Sequence, residues 1–155
     1  MEEVLPCCGS RSWAERLAER RPLPDEAELM RASDAIWRGL AEADWREAFA
    51  SHPCIGERHA PGEATAQSLA WSSREQSAVG LDDGDTARRL VEGNRAYEAR
   101  FGRSFLVCAS GKSGAEIVAI LNSRLNNDPE TERRESAEQQ RQITRLRLGR
   151  WMRAE

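Results

Sequence analysis

From Asp128 to the end of the 155-residue chain, Pro129 and Gly149 are the only residues that oppose a helix. Asp-Pro is also a strong way to begin one. The aspartate side chain accepts from free backbone N–H groups of the first turn, and proline at the first helical position gives up an N–H that has no partner there. The pattern predicts one long helix reaching almost to the C-terminus. A helix of that length must bury its apolar stripe against other elements, and the rest of the chain offers further helices.

Ser10 is placed to cap a short helix that carries Trp13 and Leu17 at i, i+4 spacing. The segment RRPLPDEAEL breaks it, and Asp25 opens a second helix on which Leu29, Ala32, Ile36, Trp37 and Leu40 keep helical periodicity. A third, about Glu42 to Ala50, presents Trp45 and Phe49. Breakers then cluster at Pro53, Gly56, Pro61 and Gly62, with room for a helical turn or two over Ala64 to Ala70. From Asp85, a face of Leu90, Val91, Asn94, Tyr97 and Phe101 runs to a stop at Gly102. FLVCA (Phe105 to Ala109) reads as a buried extended segment or a helix start, too isolated to imply a sheet. Ser113 with Glu116 forms a capping box before Ile117, Val118, Ile120, Leu121 and Leu125. There is no internal repeat. The expected architecture is all-α, a single-domain helical bundle of about seven to nine helices over residues 1–155.

Composition excludes several classes. Apolar residues make up 39% of the chain and charged residues 32%, with a net charge of −3, which disfavours a broad nucleic-acid footprint. No apolar run approaches the roughly 20 residues needed to cross a bilayer. MEEVLPCCGSRSW lacks a signal peptide's apolar segment and WMRAE is not a peroxisomal address, so the cytoplasm is the expected location. Cys7, Cys8, Cys54 and Cys108 form no C-x-x-C pair and read as free, mostly buried thiols.

A few residues are candidates for chemistry. GKS (Gly111 to Ser113) would need a glycine at 106 to be a phosphate-binding loop, and Leu106 stands there, so Ser113 is expected as a helix cap. His52, Cys54 and His59 are metal-ligand types in a compact window, but no second pair follows, and no metal is expected. His52 precedes Pro53, whose ring pushes the preceding residue out of helical conformation. Such a histidine either bonds a carbonyl at the helix end or offers a ring that exchanges protons near neutral pH. Ser72-x-x-Glu75 fits a capping box, though a helix N-terminus in a cleft would also offer N–H groups to an anion. On the last helix, Ile143, Arg147 and Trp151 fall within about 80° of each other, with Leu146 alongside. An arginine in that stripe either packs its stem and sends its head to water, or waits for a carboxylate or imide-like ring to grip.

Taken together, HPCIG (His52 to Gly56), SSREQ (Ser72 to Gln76), NRAYEARFGRSFLVCASGKS and ITRLRL (Ile143 to Leu148) resemble the 2-oxo-4-hydroxy-4-carboxy-5-ureidoimidazoline (OHCU) decarboxylase family. The resemblance runs from about Cys7 to Trp151. It implies an all-α, cofactor-independent homodimer that converts OHCU to (S)-allantoin, the last step of the route from urate. It places the catalytic residues at His52, Glu75 and Arg147. Substrate contacts fall on Pro53, on Ser72, Ser73, Arg74 and Gln76, and on Phe105, Leu106, Val107, Cys108 and Ala109. No cofactor, metal, nucleic acid or membrane is expected as a partner. The competing expectation is a non-catalytic module that docks a partner chain through Ile143, Leu146 and Trp151, and a third is a metal-dependent hydrolase.

Overall fold

The computed structural model describes residues 1–55, 64–77 and 84–154, with backbone alone for Gln76 and Ser77. Among them are eight helices: α1 Leu5–Cys8, α2 Arg11–Glu19, α3 Glu26–Arg38, α4 Glu42–Ala50, α5 Ala66–Ser77, α6 Gly84–Phe101, α7 Gly114–Arg124 and α8 Pro129–Ala154. The described residues contain no strand, so the all-α expectation holds. The anticipated caps are made by side chains. Ser10 Oγ accepts from Trp13 N at 3.2 Å, Asp25 Oδ1 from Glu28 N at 2.8 Å, and Asp128 Oδ1 from Thr131 N at 3.0 Å. Ser113 Oγ accepts from Glu116 N at 3.2 Å, so GKS is indeed the front of a helix. α1 was not anticipated, since four residues are too few for periodicity to show.

Helix α5 corrects the capping-box reading of Ser72 and Glu75. Nothing breaks the chain between Thr65 and Ser77, and the helix starts at the earlier residue: Thr65 Oγ1 accepts from Ser68 N at 3.0 Å. Ser72 and Glu75 therefore lie inside a continuous helix, and no free helix N-terminus faces them. On α6 the face also needs correction. Val91 sits about 100° round from Leu90 and is 48% exposed, while Leu90, Gly93 and Tyr97 are buried. A Cβ on Gly93 would lie 2.4 Å from Leu121 Cδ2, so the glycine lets α6 approach α7 closely.

Two apolar clusters form the core. One gathers α1 to α4 around α8, with Trp13, Trp37 and Leu148 among its members. The other lies between α6 and α7, around Leu90, Tyr97, Ile117 and Leu121. The buried tryptophans satisfy their N–H groups: Trp13 Nε1 donates to Ser33 Oγ at 3.2 Å and Trp37 Nε1 to the Ala137 carbonyl at 2.9 Å. The 105–109 segment is threaded between the clusters in extended form. Phe105, Val107 and Ala109 join the second cluster, and Leu106 and Cys108 join the first. That alternation is the period of two expected of extended backbone.

A buried ion pair fastens this segment. Arg124, at the end of α7, donates to Glu132 on α8, and its Nη1 donates to the Leu106 carbonyl. Its guanidinium also lies 4.7 Å from the Phe105 ring centroid. Glu132 accepts further bonds from Tyr97 Oη at 2.6 Å and Asn127 Nδ2 at 3.0 Å, so the buried carboxylate is fully surrounded by donors. The Tyr97 hydroxyl is pushed up to about 12, first by burial and then by its bond to Glu132. The sequence analysis singled out neither Arg124 nor Glu132, whose pairing joins two helices.

Candidate active site

Three elements converge at one small cavity. His52 follows α4, its N–H donating to the Phe49 carbonyl at 3.3 Å, and Pro53 fixes the chain behind it. α5 contributes Ser72 and Glu75, and the extended segment contributes Phe105, Leu106, Val107 and Ala109. Ile55 and Ile143 complete the wall. The cavity volume is about 30 Å³, room for roughly one water.

Arg147 stands behind α5, 0% exposed. Of the two readings of Arg147, the one that sends its head to water is overturned, and a carboxylate is found in its grip. Nε donates to Glu75 Oε1 at 3.1 Å, and Nη2 donates to Glu75 Oε2 at 3.2 Å and to Ser72 Oγ at 2.9 Å. Nη1 donates to the Pro6 carbonyl at 3.2 Å and to Ser68 Oγ at 3.3 Å. The pairing with Glu75 is bidentate, the geometry for which a planar guanidinium is suited. Its remaining N–H groups reach Ser68, Ser72 and Pro6, so α1 and α5 are both tied to α8 through one side chain. Arg150 Nη1 adds a third bond to Glu75 Oε1 at 2.9 Å.

His52 is 6% exposed, and its Nε2 lies 2.7 Å from Gln140 Oε1. Its pKa is lowered to about 3, first by burial, then by the positive charge of Arg147, with the Gln140 bond working the other way. The ring is therefore neutral at neutral pH. The reference value near 6.5 takes no account of that burial.

Eight of the thirteen residues singled out from the sequence line this cavity. Arg147 touches two of them. Ser73 and Arg74 are exposed, because on a continuous helix they lie about 100° and 200° round from Ser72. Cys108 alternates away from Val107 and Ala109 and borders a different, open cleft beside Lys112 and Arg141. Its thiol is shifted up by burial. Gln76 belongs to α5, but its side chain lies outside the described residues, as do His59 and the breakers Gly56, Pro61 and Gly62. Cys54 donates to Ser104 Oγ at 3.3 Å. Among the described residues no group of three or more His, Cys, Asp or Glu side chains is arranged to hold a metal. The partner-docking stripe is not there either: Ile143 is buried inside the chain, Trp151 is half-buried, and only Leu146 is exposed, at 39%.

A family model described as OHCU decarboxylase matches residues 1–149. The chain belongs to the OHCU decarboxylase family. It is 33% identical over 129 residues to the 2-oxo-4-hydroxy-4-carboxy-5-ureidoimidazoline decarboxylase of Amia calva, covering 83% of this chain and 73% of that protein. The Mus musculus protein of the same name is 30% identical over 149 residues, covering 94% of this chain and 79% of the relative. The uric acid degradation bifunctional protein TTL of Arabidopsis thaliana is 31% identical over 148 residues, 96% of this chain but 46% of that protein. The chain thus spans about half the length of this bifunctional relative. A crystal structure of OHCU decarboxylase in the presence of (S)-allantoin superposes with a TM-score of 0.82 at 31% identity, covering 97% of this chain and 96% of that one.

In this family member, sequence reasoning missed the residues that hold the named ones in place. Gln140 and Ser68 sit inside helices with no motif around them, and Arg150 was not singled out either. Arg150 alone carried a legible signal. It follows Arg147 by three residues and so projects from the same side of α8.

Proposed function

We propose that this cavity is where the chain acts as a carboxy-lyase, decarboxylating OHCU to (S)-allantoin in urate degradation. The observation that carries the reading is the convergence of His52 and Glu75, from elements 23 positions apart in sequence, on one cavity whose carboxylate is gripped by Arg147. It is supported by membership of the family and by likeness to a structure determined with (S)-allantoin present.

The substrate's own functional groups set the task. Its carboxylate leaves as CO₂ from the ring carbon that also bears the hydroxyl, and the bonding pair moves into the adjacent C=N unit. The ring nitrogen at the end of that unit takes a proton from solvent, leaving an enol. The hydroxyl proton must then depart as the C=O forms, and a proton must reach the ureido-bearing carbon on one face only. A neutral His52 suits this sequence. It accepts the hydroxyl proton and returns it to the neighbouring carbon, so one ring serves as base and then as acid. No outside electron sink is required, because the C=N unit already provides one.

Glu75 accepts from ureido N–H groups or the hydroxyl, which fixes the face of the ring that meets His52. Arg147 was expected to contact the substrate. With its N–H groups engaged, it acts by holding Glu75 and Ser72 and by placing a positive field beside the carboxylate-bearing substrate. Phe105, Leu106, Val107 and Ala109 shield the ureido-bearing carbon from water, so that its proton comes from His52 while the ring nitrogen takes its own from solvent. At about 30 Å³ the cavity is contracted, since small-molecule sites run to roughly 300 Å³ or more, so the lining must move outward to admit substrate. The homodimer and the cytoplasmic location expected from the resemblance extend the same reading. Sedimentation equilibrium and cell fractionation test them.

The decisive experiment generates OHCU enzymatically and follows its loss and the formation of chiral allantoin against spontaneous decay. His52→Ala, Glu75→Ala and Arg147→Ala are each expected to lose roughly 100-fold or more in rate. If folded His52→Ala kept most of the wild-type rate, the proton-transfer role would be lost.

A further inference from the structure

Gln140 is fully buried on α8; it does not line the cavity, yet it meets the His52 ring. Its two amide atoms face different partners. Oε1 lies 2.7 Å from His52 Nε2, and Nε2 donates to Thr144 Oγ1 at 3.1 Å, one turn further along the same helix. The Thr144 hydroxyl in turn bonds the Cys8 thiol, which burial pushes up to about 12 and so keeps protonated. A hydroxyl so placed has a lone pair available for the glutamine N–H. In this arrangement the amide turns its carbonyl toward the histidine and its N–H toward Thr144. A neutral imidazole carries one N–H, and the nitrogen facing a carbonyl must be the one that bears it. His52 Nδ1 makes no hydrogen bond with a described residue.

We propose that Gln140 is a positioning residue for His52, holding the ring as the Nε2–H tautomer and leaving Nδ1 as the nitrogen that exchanges a proton with substrate. The proposal rests on the assignment of His52 to proton transfer and deepens it by naming the atom. When Nδ1 takes the hydroxyl proton, the Nε2–H stays on the Gln140 carbonyl, which stabilises the imidazolium that forms. When Nδ1 gives the proton to the ureido-bearing carbon, the ring returns to its starting tautomer. One proton enters and the same proton leaves, through one nitrogen, so the ring is reset at each turnover without rotating. Gln140 never touches substrate. Its effect reaches the reaction only through His52.

The test separates this from the assignment of His52 itself. A His59→Gln background leaves His52 the only histidine, and its ring ¹⁵N shifts in the intact protein report the tautomer without any assay. The Nε2–H form is expected, and a predominant Nδ1–H form would overturn the proposal even if His52→Ala were inactive. Gln140→Leu removes the acceptor. The ring is then expected to populate Nδ1–H, and kcat to fall roughly ten- to a hundredfold with KM within about threefold, inside the range that positioned proton transfer contributes. Gln140→Glu restores an acceptor at Nε2 and is expected to restore the Nε2–H form and most of kcat. Wild-type kcat in folded Gln140→Leu would count against the proposal. If Gln140→Leu does not fold, the tautomer of the wild-type ring and the Gln140→Glu comparison still decide it.

Discussion

At the scale of single residues, His52 and Glu75 differ in what surrounds them, and each makes a measurable difference. The folded ring of His52 refuses a proton until pH falls to about 3, whereas an unfolded histidine binds one near 6.5. The unfolded state therefore holds more protons in that window. The stability due to the neutral ring is complete above about 6.5 and is lost as pH falls toward the folded value. Between pH 7 and pH 5 this one group is expected to remove about 2 kcal/mol of unfolding free energy. Urea titrations of the wild type and His52→Asn at both pH values check it, since only the wild-type curve contains this component. Glu75→Gln leaves Arg147, 0% exposed, facing an amide instead of a carboxylate. A loss of roughly 2–4 kcal/mol is expected, together with a rate loss that persists in the folded fraction. A capping role would have left that fraction active, because glutamine serves a capping box as well. The residue most legible in the sequence was Arg147, a charge on a face that should be apolar. Its partner was not legible, because a pairing across 72 positions leaves no local trace.

At the scale of elements, the caps at Ser10, Asp25, Ser113 and Asp128 were readable because capping chemistry is written in adjacent residues. Ser72 misled for the same reason. The pattern was present, but Thr65 began the helix seven residues earlier and the box had no terminus to cap. The 105–109 segment was recognisable as buried, yet its alternation between two clusters depends on what flanks it on both sides. What pins it is the Arg124–Glu132 pair. Arg124→Met is expected to cost about 3–5 kcal/mol, because Glu132 stays buried without its charged partner. Arg124→Met combined with Glu132→Gln should recover part of that loss, which denaturant midpoints of the single and double variants will show. Activity is the second readout: with the Leu106 carbonyl released, the segment that lines the cavity loses its anchor. Gly93→Ala acts on the packing of α6 against α7 alone. A loss of about 1–3 kcal/mol with unchanged activity is expected, since the Leu121 side chain must give way and neither residue lines the cavity.

For the whole molecule, the all-α class followed from periodicity and breakers, and the family followed from four motifs in order. Neither could show how tightly the site is closed. The cavity of about 30 Å³ is bounded by three elements: Arg147 ties α5 to α8, Arg124 ties the 105–109 segment to α7 and α8, and Gln140 of α8 meets His52. The wall includes residues of both core clusters, Leu106 from one and Phe105 and Val107 from the other. Admitting a ligand therefore separates packed elements, and the separation is repaid only once the ligand's own contacts form. Two consequences can be measured with (S)-allantoin as the probe. Binding should be slow, with an association rate constant below about 10⁵ M⁻¹ s⁻¹, because opening limits it. Saturation should nevertheless stabilise the fold by about 2.7 kcal/mol at a concentration 100 times Kd. Stopped-flow tryptophan fluorescence reads the first, through Trp71 beside Arg147, and ligand-dependent chemical denaturation reads the second. Fast, diffusion-like association would mean that the cavity is open in solution and that the contracted form is not the resting state. Slow association that Arg147→Lys speeds up, while equilibrium affinity weakens, would place the barrier in the ties between α5 and α8.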